Sequence, residues 1–251
     1  MGVIPRLWQG RRKYISLLVL VGVVILVRLG FWQLDRHYQR VARNAVINAR
    51  IAEPTVPLSS VLALPADVQE YRHVSVVCSL QTSQQILWRN RSYQGTTGYQ
   101  ILTVCQPDSG DAVLVNRGWI PYQDGLADWQ ARYQPTSGLQ TITGVWRMSQ
   151  APLSTVEEVA PVNGWRDRWF AITIPQIAAQ MQRSLAPGFI ELQPDGTDTA
   201  TYPVRTTISD MGAGSHFGYA IQWWSFAVIL LVGALVVAYR RPVSPDLVRD
   251  L

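Results

Sequence analysis

Hydrophobic and polar positions along the chain fall into three regimes. Residues 15–27 form an apolar stretch that reaches Leu34 if Arg28 and Gln33 are tolerated, and residues 217–238 form a second. Each is close to the ~20 residues that cross a bilayer as a helix. The intervening residues 37–215 look soluble. Their first part, RHYQRVARNAVINARIAE, is rich in helix-favouring side chains and continues the first helix outward until Pro54 and Pro57 end it. The pattern then changes to period two: in YRHVSVVCSL, Val74, Val76, Cys78 and Leu80 share one face, as in a half-buried strand. Short β-rich runs follow at QQILWRN, GYQILTVCQ and AVLVNRGWI, separated by Gly95, Gly98, Pro107 and the turn-like DSGD. Later strands are predicted at QTITGVWRM, RWFAITI, FIEL and YPVRTTI. One helix, PQIAAQMQRSL, opens on a proline in its first turn and stops before Pro187 and Gly188. The predicted fold class is a membrane protein: two transmembrane helices flanking an exported, mainly antiparallel β domain, barrel-like or sandwich-like, with one inserted helix.

Charge sets the expected orientation. Arg6, Arg11, Arg12 and Lys13 precede the first span, and Arg240 and Arg241 follow the second, which predicts two cytoplasmic termini. Arg36, Arg40 and Arg43 beyond the first span weaken the contrast without reversing it. The expected organisation is a cytoplasmic N-terminus (1–14), a first span (15–35), an extracytoplasmic β-rich domain (36–215), a second span (216–238) and a cytoplasmic tail (239–251), in the cell membrane. No small-x-small cleavage site follows Leu34, so the first span reads as an uncleaved anchor, not a signal peptide. The net charge of +5 on 251 residues belongs largely to these membrane flanks, where a lipid bilayer is the expected partner and nucleic acid is not.

Cys78 and Cys105 are the chain's two cysteines. An exported domain permits a disulfide, separate buried thiols are an equal reading, and a copper or zinc site is a third. No enzyme signature is present. Ser215 beside His216 lacks a nucleophile elbow or an orienting carboxylate, and GAGSHFG precedes a membrane helix instead of joining a strand to a helix, so it is no phosphate-binding loop.

Three segments together resemble one family. RLGFWQLDRH closes the first span, VLVNRGWIP lies in the middle of the β domain, and SHFGYAIQWWSFA opens the second span. Their order and topology resemble the Surfeit locus protein 1 family, assembly factors of cytochrome c oxidase. The resemblance implies a non-enzymatic factor that helps haem a reach the oxidase catalytic subunit, with haem a synthase as a further partner. It also implies that His216 ligates the iron. Trp32, Gln33 and Arg36 match the first motif, and Asn116, Arg117, Gly118 and Trp119 the second. The paired tryptophans of QWW depart from the pattern.

The residues themselves fit such a ligand. His216, Tyr219, Trp223 and Phe226 are spaced three, four and three apart, so on a helix they share one face and set a nitrogen ligand above an aromatic wall. An interfacial aromatic belt is the simpler reading of the same residues. Gln33 and Gln222 lie at comparable depths in opposite spans and are expected to hydrogen-bond between the helices. Arg28 lies roughly 12 Å of helix rise inside Arg36, where a charge costs about 2.5–3.5 kcal/mol unless it snorkels or pairs. Arg28 or Arg36 is a candidate partner for a haem propionate, and His37 a candidate second axial ligand. Asn116 and Arg117 are candidates for contact with a partner subunit or the cofactor edge, although NRGW equally suits a strand entering a tight turn with Trp119 in the core. Two other functions stay open: a structural scaffold for oxidase assembly without haem, and a copper-delivery factor using the cysteines.

Overall fold

In the computed structural model, which describes residues 12–151, 164–194, 201–208 and 215–239, the chain divides into a unit from its terminal segments, 1–45 and 211–251, and a unit from Val46–Asp210. The basic residues Arg6, Arg11, Arg240 and Arg241 lie outside the described residues.

The first helix, α1 (Arg12–Ile51), runs for 40 residues because no proline interrupts the sequence until Pro54. The outward extension of the first span is thus present. Between the terminal helices lie β1 (Val56–Pro57), α2 (Leu58–Leu62), α3 (Ala66–Gln69), β2 (His73–Tyr93), β3 (Thr96–Pro107), β4 (Ala112–Pro121), a 3-10 turn (Gln123–Gly125), α4 (Trp129–Arg132), β5 (Leu139–Met148), β6 (Arg168–Trp169), α5 (Ile174–Met181) and β7 (Leu185–Glu191). The last helix is α6 (His216–Tyr239). By length and composition both α1 and α6 can cross a membrane, and only 6% and 11% of their most apolar windows is buried. So much exposed apolar surface at the two ends of the chain suggests a two-span membrane protein.

The strands close into a ring, β2–β3–β4–β7–β5 and back to β2, with β1 and β6 added alongside β2. An odd ring cannot alternate direction throughout, so at least one neighbouring pair must be parallel. That pair is β4–β7; β1 and β6 also pair with β2 in parallel. The sheet is therefore mixed, mainly antiparallel as expected but with parallel pairings the pattern did not foretell. Closure depends on β2, which the sequence pattern divides into two strands but which runs for 21 residues. Its residues His73 to Ser79 pair with β5, and from Cys78 onward it pairs with β3, with a register shift between Leu80 and Gln85. The irregularity at Leu80–Gln85 is a register shift inside one strand, not a turn between two.

Three further expectations change. RWFAITI holds only the two residues of β6, because Ile174 already begins α5. α5 ends at Met181, where Gln182 turns left-handed at φ 50°, so Pro187 and Gly188 lie inside β7 instead of stopping the helix. YPVRTTI is no strand: Val204 alone bridges to Trp119. The core has two parts on opposite faces of the strands: Val74, Val115, Trp146 and Ile190 form one cluster, and Ile86, Leu114, Ile172 and Phe189 pack with Ile174 and Ile177 of α5 in another. Within the first cluster Cys78 and Cys105, both fully buried, form a disulfide across a sequence separation of 27, tying β2 to β3 beside the switch of partners. Both thiols are thereby consumed.

Candidate functional site

α1 and α6 pack along a seam that is written in their less exposed positions. On α1 these include Ser16, Val19, Val23, Leu26, Gly30, Gln33 and His37, spaced alternately three and four apart; on α6 they include His216, Ala220, Trp223, Ala227 and Leu230. Such spacing keeps one stripe of each helix facing the other. Small residues let the backbones approach, as in membrane helix pairs generally. A Cβ added at Gly30 would lie 2.2 Å from Nε1 of Trp224, and one at Gly22 3.1 Å from Leu230. Trp224 thus occupies the space that Gly30 leaves open, and Phe31 meets it edge to face at 5.4 Å. This accounts for the second tryptophan of QWW, for which periodicity offered no role.

At one end of the seam, His216 Nδ1 lies 2.8 Å from Gln33 Oε1. A carboxamide oxygen only accepts, so the contact is satisfied by the tautomer in which Nδ1 donates, and in that tautomer Nε2 is the nitrogen able to bind a metal. One helical turn along α1, His37 packs at 5.5 Å from the ring of Phe217, and its Nδ1 is buried with no hydrogen-bond partner. Arg36 is exposed, sits 5.8 Å from the Trp32 ring and donates to Gln39 Oε1 at 3.0 Å.

The pairing differs from the expectation in two respects. Gln33 bonds His216, while Gln222 is exposed, because position 222 falls between the seam positions Ala220 and Trp223. The face of His216, Tyr219, Trp223 and Phe226 also divides: His216 and Trp223 are half-buried, whereas Tyr219 and Phe226 are 49% and 43% exposed. Trp223 and Phe226 still touch edge to face at 6.1 Å. The seam runs through the alanines, since small side chains permit close contact, and the rings of Tyr219 and Phe226 are displaced to its flanks.

Arg28 is exposed, off the seam, and pairs with no carboxylate among the described residues. Arg28→Leu is therefore expected to enter the membrane fraction at least as completely as the wild type, since it removes a charge costing about 2.5–3.5 kcal/mol at a helix centre. Poorer insertion, measured by carbonate extraction, would instead show that Arg28 is paired inside the bilayer.

In the β domain, NRGW builds a junction. Asn116 Nδ2 donates to Gln100 Oε1 at 3.1 Å, and its Oδ1 accepts from Gly118 N at 3.1 Å. Gly118 has φ 132°, and a Cβ there would lie 2.5 Å from the carbonyl oxygen of Val204, so glycine is required. Trp119 and Val204 exchange backbone hydrogen bonds of 2.7 and 2.8 Å, and Trp119 Nε1 donates to the Arg91 carbonyl. Trp119 is buried, as expected. Arg117 is the extra residue of a bulge, because Ile101 and Leu102 pair with Gly118 and Asn116 on either side of it.

A sequence model described as the SURF1 family matches residues 20–228. The chain is similar to a SURF1-like protein of Rickettsia felis, 24% identical over 91% of this chain and 97% of the relative. It is also similar to an uncharacterised SURF1-like protein of Mycobacterium bovis, 26% identical over 84% of this chain and 76% of the relative. A SURF1-like protein of Monosiga brevicollis is 26% identical over 87% and 84%. These similarities run across both terminal helices and the β domain between them.

Proposed function

The chain belongs to the SURF1 family, and from that premise we propose that it is a membrane-tethered, non-enzymatic factor for cytochrome c oxidase assembly that holds haem a for transfer to the catalytic subunit. The observation that carries the haem reading is the 2.8 Å contact between His216 Nδ1 and Gln33 Oε1. It supplies what an iron ligand needs: a fixed ring, the Nδ1–H tautomer, and an unprotonated Nε2.

The neighbouring residues suit an amphipathic cofactor. Trp223, half-buried, and Tyr219, exposed, offer apolar ring surface on the same helix. Arg36 and Arg28 are the cations on α1 that a propionate would meet, and a guanidinium binds a carboxylate through two parallel hydrogen bonds. His37, with a buried Nδ1 that has no partner, is the second candidate ligand. Haem a would be cargo here, taken up with its iron bound to His216 and given up to the oxidase. The copper-delivery reading loses its donors, since Cys78 and Cys105 are bonded to each other.

The proposed topology puts both termini in the cytoplasm and the β domain outside. The basic flanks support it, and so does the disulfide, which persists in oxidising compartments. The direct test is the absorption spectrum of the full-length protein purified from a host that makes haem a. A haem a spectrum near one equivalent is expected. Haem-free protein that still restores oxidase assembly in a deletion strain would leave the scaffold reading in its place.

A further inference from the structure

The motif NRGW leaves one residue whose charge its structural junction does not match. Asn116, Gly118 and Trp119 each have a partner that explains them, but the Arg117 side chain points from its bulge into a cleft of about 650 Å³ on the β domain. The cleft is lined by Arg117, Arg205, His73, Thr141, Thr143 and Gln193, among others, and none of the described lining residues is an aspartate or glutamate. We infer that this cleft is a binding site for a small oxyanion, a phosphate- or carboxylate-bearing molecule, with Arg117 as its principal anchor. The inference is independent of haem binding at His216.

Arg117 carries the argument because its charge is unmatched. It donates to Gln85 Oε1 at 3.2 Å, to the carbonyl of Tyr133 at 2.7 Å and to that of Gln134 at 3.4 Å, all neutral acceptors. No carboxylate among the described residues lies within ion-pair distance of it. Burial pulls its guanidinium down to about 10, so it remains a cation at neutral pH. Arg147, another half-buried arginine on a barrel strand, shows the usual solution: it meets Glu191 at 2.9 Å and Glu70 at 3.4 Å. A cation drawn partly out of water without such a partner is costly, and an arriving anion offsets that cost.

The surroundings are built for the same purpose. The bulge is a device that re-aims one side chain out of the strand's alternation, and bulges are common beside functional sites. Gly118 admits the Val204 backbone, which brings 201–205, and with it Arg205, to the cleft. Thr141 and Thr143, exposed on β5, line the cleft and carry hydroxyl groups. A planar guanidinium fork and hydroxyls match oxyanion geometry, and the volume is in the range of small-molecule sites, roughly 300–1,000 Å³.

The test uses the full-length protein in an uncharged detergent, with inorganic phosphate as probe and chloride at equal ionic strength as control. Phosphate is expected to raise the thermal midpoint saturably where chloride does not, and calorimetric titration should give the affinity. Arg117→Gln should weaken phosphate at least tenfold. Thr143→Val, on the exposed face of β5, should weaken it severalfold and guards against an Arg117 variant that fails to fold. Nanodiscs of phosphatidylglycerol, compared with phosphatidylcholine, separate the two sources: competition with phosphate identifies a lipid headgroup, and its absence a soluble anion. Phosphate no better than chloride, or unchanged phosphate affinity in folded Arg117→Gln and Thr143→Val, would overturn the site.

Discussion

Gln33→Leu is expected to purify with 10- to 100-fold weaker haem a binding, although position 33 need never touch the cofactor. Residues that orient a histidine ligand through its second ring nitrogen are typically worth that much in affinity. The 2.8 Å contact makes Gln33 such a residue for His216. Leucine keeps the helix seam apolar and well filled, so the helix pair should persist while His216 loses its fixed tautomer. Gln33→Glu supplies an acceptor again and should recover most of the binding. His216→Ala removes the proposed ligand and should abolish the haem spectrum without releasing the protein from the membrane, with His37→Ala mattering much less. The readouts are haem content per polypeptide and the position of the Soret band. Wild-type haem content in His216→Ala would eliminate His216 as ligand and, unless His37→Ala lost the haem, reduce the site to an aromatic-belted anchor. Equal loss in Gln33→Leu and Gln33→Glu would show that Gln33 acts through packing and not through its acceptor oxygen.

Removing the disulfide should have the largest effect on the stability of the β domain. Cys78 and Cys105 are separated by 27 residues, and loop closure over that length is worth about 3.5 kcal/mol in the chain-entropy account. The double variant Cys78→Ala, Cys105→Ala is expected to unfold at correspondingly lower urea, read by tryptophan fluorescence, with most of the difference lost when the wild type is reduced. Both side chains are fully buried in the core cluster, so alanine leaves a small void that adds to the loss. The same bond reports on topology. Protein taken from cells and denatured without reductant should resist thiol alkylation and become reactive only after reduction. Immediate labelling of both cysteines would place the domain in a reducing compartment and reverse the proposed orientation.

Local composition by itself determined the elements whose cause is local. Two apolar stretches of bilayer length, a helix running on until Pro54, and the alternating stretch from Val74 to Leu80 were legible because a helix or strand needs only its own side chains to establish its periodicity. His216 and Gln33 could be singled out for the same reason: a polar residue is conspicuous in an apolar stretch. What the sequence could not decide was partnership. A strand's direction relative to its neighbours follows from how the ring closes, and a ring of five strands forces a parallel pair that no strand encodes alone. Cys78 and Cys105 are joined because β2 and β3 lie side by side there, which spacing along the chain does not reveal. Gln33 meets His216 and not Gln222, and Trp224 rests on Gly30, because the seam follows the small residues of both helices at once. Periodicity describes one helix at a time, whereas these contacts depend on the rotation and depth of two, and only packing sets those.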